Sequence, residues 1–172
     1  MKTTTYFQRI AGPLGPMLLA ADDVALKVVD FDDARSVPRI APDWRADASH
    51  PLLRAAERQL AEYFAGERAV FDLPQAPEGT PFQQTVWAAI RTVPAGATIT
   101  YRELALRAGR PGSIRAAGAA TGRNPLAIVI PCHRIIGSDG SLTGYAGGLE
   151  RKRALLSLEA KLAARPLLAD AA

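Results

Sequence analysis

The apolar positions of the chain follow two rhythms. Up to residue 31 they come in short alternating or continuous blocks: TTTYFQRI (3–10), a GPLGP turn, MLLAA, an Asp22-Asp23 break, and VALKVVDF with its β-branched residues. This pattern predicts an antiparallel meander. From residue 50 the rhythm is helical. In HPLLRAAERQLAEYFAGE the apolar residues Leu53, Ala56, Leu60 and Phe64 recur at helical spacing, Gly66 marks the end, and Ser49 is the candidate cap. The Pro-rich segment DLPQAPEGTP (72–81) reads as a linker. It divides the chain into an N-terminal unit, 1–78, a C-terminal unit, 79–162, and a short tail, 163–172. The expected class is α+β, a small antiparallel sheet with a helix followed by a mostly helical part.

Beyond the linker, TPFQQTVWAAIRTV predicts a helix with Thr80 as N-cap and Pro81 at its first position, its face formed by Phe82, Val86 and Ile90. TYRELALRAG predicts a short helix capped by Thr100, with Glu103 as the capping-box partner. GRPG then turns the chain into a second short helix, SIRAAGAATGRN, ending near Gly122. Helix, tight turn, helix is the pattern of a helix-turn-helix, though many helical hairpins share it. The run Ala116, Ala117, Gly118, Ala119, Ala120 carries no side chain able to hydrogen-bond a base edge. Two readings stay open: a smooth face that approaches a groove beside Arg115, or tight helix packing within the core.

Composition narrows the class. A chain of 172 residues with 48% hydrophobic content can bury a substantial core. Its single cysteine excludes an internal disulfide and a multi-thiolate zinc site and favours a reducing compartment. The N-terminus lacks the apolar stretch of a signal peptide, and no segment reaches the length of apolar residues that a membrane span requires, so a cytoplasmic protein is expected. The net charge of +4 hides an asymmetry: residues 1–80 hold 9 Lys and Arg against 12 Asp and Glu, residues 81–172 hold 12 against 5. A basic, arginine-rich second part fits a polyanionic partner, and fits equally a solvated basic surface.

The lone cysteine sits in IVIPCHRIIG (128–137). LAIVI (126–130) reads as a buried strand, and Pro131 ends its ladder because proline lacks an N–H. Cys132 is then an inert core thiol or a nucleophile. An ordinary thiol is mostly protonated near neutrality, so a nucleophile needs a base. His133 is next in sequence, but neighbours on an extended chain point apart, so a bridging water or a local turn at Pro131 is required. Glu159, on the predicted helix LERKRALLSLEAKLA, faces the same way as Leu155 and Leu156, and its buried carboxylate would need a partner that His133 can supply.

The string NPLAIVIPCHRIIGSDGSLTGYAGG, preceded by TPFQQTVW, TYRELA and SIRAAGAATGRN and followed by LERKRALLSLE, closely resembles the O6-alkylguanine-DNA alkyltransferases, the methylated-DNA-protein-cysteine methyltransferases of direct DNA repair. The likeness covers about residues 80 to 160 in register and extends more weakly over the N-terminal part. It implies a ribonuclease H-like N-terminal unit and a winged-helix-like C-terminal unit containing the helix-turn-helix. It implies an irreversible, single-turnover transfer of the alkyl group from O6-alkylguanine, and O4-alkylthymine, in double-stranded DNA to Cys132, with minor-groove binding and base flipping and without a cofactor.

Residue by residue, Cys132 matches the acceptor, His133 the base acting through a water, Glu159 its carboxylate partner, and Asn124 the hinge between recognition helix and active-site strand. Tyr101 resembles the tyrosine that helps rotate the phosphate and protonates the departing guanine, and Arg115 the finger that fills the space of the flipped base. Tyr145, Ala146 and Gly147 fall on the wall of the guanine pocket; Gln83, Tyr101, Arg102, Arg110 and Ser138 fall on DNA contacts. Ala146 stands where many relatives carry Ser or Thr, which removes one possible hydrogen bond to the base. The N-terminal part lacks the cysteine-histidine cluster of the relatives that hold a zinc ion, so no metal is expected. A monomer, cooperative on DNA, is the expected assembly. The competing readings are a non-catalytic sensor of alkyl lesions, which the presence of Cys132 disfavours, and a cysteine hydrolase, which would turn over.

Overall fold

The computed structural model describes residues 3–33 and 40–165; the expected tail lies, from residue 166, outside them. Strands β1 (Tyr6–Ile10), β2 (Met17–Ala21) and β3 (Leu26–Phe31) form the expected antiparallel meander, with Phe7 opposite Ala20 and Leu19 opposite Val29. A two-residue strand, β4 (Arg45–Ala46), extends the sheet beside β1 and runs parallel to it, giving the order β3-β2-β1-β4. It is too short to leave a periodicity in the sequence. Every residue of β2 is buried because the sheet is covered on both faces. Met17, Leu19 and Ala21 join the main core, whereas Leu18 and Ala20 pack with Val28, Phe7 and Trp44 on the other side.

Helix α1 (Pro51–Phe64) buries Leu53, Ala56, Leu60 and Tyr63. Its N-cap is His50 rather than Ser49. Proline suits the first helical position, which places the boundary one residue later than Ser49. The Ser49 hydroxyl instead donates to Asp47 at 2.6 Å.

Helix α2 (Pro81–Arg91) starts as the sequence predicts: Thr80 Oγ1 accepts from the Gln83 N–H, and Gln83 Oε1 accepts from the Thr80 N–H at 2.8 Å. Val86, Trp87 and Ile90 enter the core. The Trp87 indole N–H donates to the Ala120 carbonyl at 2.9 Å, which ties α2 to α4 (Ile114–Gly122).

Helix α3 (Tyr101–Arg107) is capped by Thr100, but the capping box stays half formed. The Glu103 carboxylate pairs one turn on with Arg107, at 3.1 Å to Nε, and does not return a bond to the cap. The short strands β5 (Ile99–Thr100) and β6 (Ile135–Ile136) pair in parallel, and α5 (Leu149–Ala163) packs on the turn at residues 132–134.

The expected strand over 126–130 does not form. Isolated bridges link Val29 to Leu126 and Ala127 to Ile130, and a turn at Ile128 and Val129 folds the segment back on itself. The five side chains are buried, as their apolarity demands, but in a knot and not a ladder. A single buried cluster runs from Phe31 and Tyr63 through Trp87 and Leu104 to Cys132 and Leu155, so the sheet and the helical half share one core.

Candidate active site

The knot before Cys132 is built from tight turns. The Val129 N–H donates to Ala127 at 2.8 Å around Ile128, whose φ is 70°. A β-branched residue at positive φ is strained, and such strain persists where surrounding bonds over-determine it. Here Asn124, just past the end of α4, supplies them: its Oδ1 accepts from the Leu126 N–H at 2.9 Å, and its Nδ2 donates to the Ile130 carbonyl at 2.7 Å. The Cys132 N–H then donates to the Ile130 carbonyl at 2.8 Å around Pro131, at φ −81° and ψ 63°. Residues 132–134 follow as one turn of 3₁₀ helix. That turn resolves the geometric difficulty of an adjacent cysteine and histidine, because the two side chains leave a tight helix and not an extended strand.

Cys132 is 7% exposed. Its Sγ lies 3.1 Å from Asn124 Nδ2. Burial pushes the thiol up to about 11; the Asn124 hydrogen bond and the Lys152 charge oppose that rise, and the Asp30 charge adds to it. The resting residue is a thiol.

His133 and Glu159 are fully buried and meet at 2.7 Å, Nε2 to Oε1, as the helix pattern led one to expect. Two partners join them. Arg134 brings Nε to Oε2 at 2.9 Å and Nη2 to Oε1 at 2.7 Å, and the Tyr63 hydroxyl of α1 donates to Oε1 at 2.8 Å. Burial opposes the ionisation of Glu159, but the hydrogen bonds of His133 and Arg134 and the Arg134 charge outweigh it and take the carboxyl to about 2. An ionised Glu159 has only lone pairs to offer, so His133 Nε2 carries the proton and Nδ1 keeps a free lone pair. Nδ1 is buried and has no hydrogen-bond partner among the described residues. Burial lowers the His133 pKa against the pull of Glu159, which keeps the imidazole neutral.

Asn124, Cys132, Tyr145, Ala146 and Gly147 line one small pocket, together with Asp30 of β3. Its free volume is about 10 Å³, room for one water. The Tyr145 hydroxyl is buried there without a partner among the described residues. A side chain at Gly147 would collide with Tyr145 and Phe31, which explains the glycine at this wall.

Two basic residues of α5 hold the loop. Lys152, fully buried, donates to the Ile135 and Thr143 carbonyls, and Tyr101 donates its hydroxyl to the same Thr143 carbonyl at 3.1 Å. Arg151 donates to Gly147 at 3.2 Å, to Leu14 at 2.7 Å and to Asp33, with its guanidinium 4.2 Å above the Phe31 ring.

Sequence reasoning did not reach Tyr63, Arg134, Asp30, Arg151 or Lys152. Arg134 stands inside the quoted PCHR string, and Lys152 shares the buried stripe of Leu155 and Glu159 at helical spacing, so both left a local signal. Arg151 stands inside the quoted LERKRALLSLE string, whereas Tyr63 and Asp30 left no signal.

The remaining candidates lie on the surface. Arg102, Arg110, Arg115 and Ser138 are exposed, and the three arginines make no side-chain hydrogen bond or ion pair among the described residues. Gln83 is half-buried with its Oε1 engaged in the α2 capping box. On α4, Ala117 and Ala120 pack inside, as tight helix packing requires, whereas Arg115, Ala116 and Ala119 are exposed. No group of His, Cys, Asp and Glu able to hold a metal ion occurs among the described residues.

Comparison with known proteins places this geometry. Residues 81–161 match the family described as 6-O-methylguanine DNA methyltransferase, DNA binding domain, and residues 2–77 match its ribonuclease-like domain. The methylated-DNA-protein-cysteine methyltransferase of Methanosarcina barkeri is 49% identical over 154 residues, 90% of this chain and 96% of its own. That of Haemophilus influenzae is 42% identical over 158 residues, 91% of this chain and 87% of its own. Among solved structures, the O6-methylguanine methyltransferase of Mycobacterium tuberculosis superposes with a TM-score of 0.84 at 42% identity, covering 92% of this chain and 94% of its own. A structure described as OGT of the same organism in complex with DNA gives 0.83 at 43% identity, over 91% of this chain and 94% of its own.

Proposed function

Given that this chain belongs to the 6-O-methylguanine DNA methyltransferase family, and so is an alkyl-transferring enzyme of DNA repair that binds DNA, we propose that Cys132 is its acceptor and that the transfer is irreversible and happens once per molecule. The observation that carries the assignment is a thiol in a closed pocket, held by Asn124 and backed by a neutral histidine whose partner is an ionised carboxylate.

His133 Nδ1 takes the Cys132 proton through a water, and Glu159 stabilises the imidazolium that results. The thiolate attacks the alkyl carbon on O6 of guanine: the S–C bond forms, the C–O6 bond breaks, and the electron pair stays on the base. Tyr101, whose hydroxyl already lies at the pocket loop, donates a proton to the departing guanine. A thioether is a poor leaving group, and no residue in the pocket offers a way to cleave it.

DNA engages the exposed face of α4 from the minor groove, with α3 and α4 acting as a helix-turn-helix. Ala116 and Ala119 allow close approach without reading sequence, which suits a protein that must find a lesion in any context. Arg115 enters the duplex and occupies the space of the flipped base. Gln83, Arg102, Arg110 and Ser138 contact the backbone, Gln83 through its amide N–H because its carbonyl is engaged in the cap. O4-alkylthymine is a second substrate, and the free protein is monomeric and cytoplasmic.

Intact mass after incubation with a duplex bearing one O6-methylguanine tests the reading. A single added methylene, absent in Cys132→Ser, supports it. Binding without an adduct would make the protein a lesion sensor, and repeated product release would make it a hydrolase.

A further inference from the structure

Among the described residues Asp30 is the one acidic side chain on the wall of the Cys132 pocket, and it comes from the sheet, not from the helical half. β3 is stitched to the knot that precedes the cysteine: the Val29 N–H donates to the Pro125 carbonyl at 2.9 Å, and the Ala127 N–H donates to the Val29 carbonyl at 2.7 Å. Those two bonds set Asp30 on the wall of the pocket that Cys132 lines. The side chain is 6% exposed; its Oδ1 accepts from the Phe31 N–H at 2.8 Å, and its Oδ2 takes no hydrogen bond from the described residues.

The reaction itself dictates which atoms of the base lie near this carboxyl. In-line attack puts Sγ behind the alkyl carbon, so the neighbouring ring atoms are those that flank O6. In an O6-alkylguanine these, N1 and N7, are acceptors, as is O6; the amine on C2, a donor, lies beyond N1 on the same edge. A group that hydrogen-bonds O6 or the ring nitrogens flanking it must therefore donate, and an aspartate donates only as the neutral acid.

We propose that Asp30 is a residue of the alkylguanine pocket that, as the neutral acid, donates from Oδ2 to the acceptor edge of the base beside O6. The inference rests on Cys132 being the acceptor. As the S–C bond forms and the C–O6 bond breaks, the electron pair left on the base is stabilised by the shared Asp30 proton. The surroundings fit the neutral form. Burial raises the carboxyl to about 6, against the Phe31 N–H and the Arg151 charge, and the other titratable groups at the pocket are the Cys132 thiol and the Tyr145 hydroxyl. An ionised Asp30 would oppose both the thiolate and the charge gathering on the base. The N-terminal sheet thereby contributes a functional group to the site besides supporting it.

Single-turnover transfer from an O6-methylguanine duplex, followed from roughly pH 5.5 to 8.5 for Asp30→Ala and Asp30→Asn, tests this. Alkylation of Cys132 by iodoacetamide, which needs no base recognition, serves as the second readout. At about pH 5.5, where Asp30 is mostly the neutral acid, Asp30→Ala loses about tenfold with the lesion and nothing with iodoacetamide. Asp30→Asn, an uncharged donor of the same shape, restores most of that loss and gains on the wild type as pH rises past about 6. The proposal is overturned if Asp30→Ala matches the wild type on the lesion, if both rates fall together, or if Asp30→Asn is as slow as Asp30→Ala. If Asp30→Ala does not fold, the pH course of Asp30→Asn against the wild type decides alone. A wild type that forms no adduct strikes the assignment of Cys132 instead.

Discussion

Tyr63 and Glu159 meet across 96 positions of sequence: the phenol near the end of α1 donates a 2.8 Å hydrogen bond to the carboxylate oxygen that faces His133. A side chain from the N-terminal part thus adds a further donor to the carboxylate behind the proposed base.

Tyr63→Phe removes one of the donors to a buried carboxylate and leaves His133 and Arg134 in place. A hydrogen bond to a charged group is worth about 1.5–3 kcal/mol, and denaturant unfolding should show a loss of that order with an unchanged slope. An equally stable variant would mean that the hydroxyl contributes nothing to Glu159.

Acid unfolding should follow the same cluster. The Glu159 carboxyl is lowered from 4.5 to about 2, so its stabilisation is complete above about 4.5 and is lost as pH falls toward about 2. Asp30 acts in the opposite sense: raised from 3.8 to about 6, it costs stability as pH rises through that interval. Midpoints of urea unfolding between those limits should rise in Asp30→Asn relative to the wild type. Glu159→Gln should lose the acid-side dependence and about 3–5 kcal/mol, because Arg134 remains buried without its counter-ion. A wild-type acid limb that survives in Glu159→Gln would place the titration elsewhere.

Asn124→Ala should slow both lesion repair and iodoacetamide alkylation of Cys132. The side chain donates to Sγ and also ties Leu126 to Ile130. With the donor gone, the thiol moves further above its value of about 11, so the pH at which alkylation accelerates shifts upward. An unshifted profile would show that Asn124 holds the turn without tuning the sulfur.

Arg151→Ala should weaken recognition of the base without changing the thiol. The guanidinium joins Leu14, Phe31 and Asp33 of the N-terminal part to Gly147 of the pocket loop. The expected result is a loss of about tenfold in reaction with free O6-benzylguanine at unchanged iodoacetamide reactivity. Arg151→Lys should recover little, since an ammonium cannot make the same fork of bonds. Equal losses with both reagents would reduce Arg151 to a general structural role.

Arg115→Ala should lower repair in duplex DNA far more than reaction with free O6-benzylguanine, because the side chain is exposed on α4 and lies outside the pocket lining. Equal losses with the two substrates would remove Arg115 from the role of filling the space of a flipped base.

Local pattern was enough for much of this protein. The meander, the four longer helices and the Thr80 cap depend on spacing and on residues within a few positions of one another, and such signals survive in a linear reading. The pairing of His133 with Glu159 was legible because a carboxylate on a buried helical stripe must find a partner, and few candidates lie nearby in the sequence. Periodicity misled at residues 126–130. An apolar run demands burial but does not say how, and the amide of Asn124 outcompeted a strand ladder for the backbone.

Sequence alone determined which segments are buried, where most helices begin, and that a cysteine with a candidate base lies among them. Only the tertiary structure decided what surrounds that cysteine. Tyr63, Asp30 and the Arg151 clamp come together from segments far apart in the chain, because closing one core over the sheet and the helices brings their strand and helix ends to a common point. Long-range contacts of single polar side chains carry no periodicity, so packing alone reveals them.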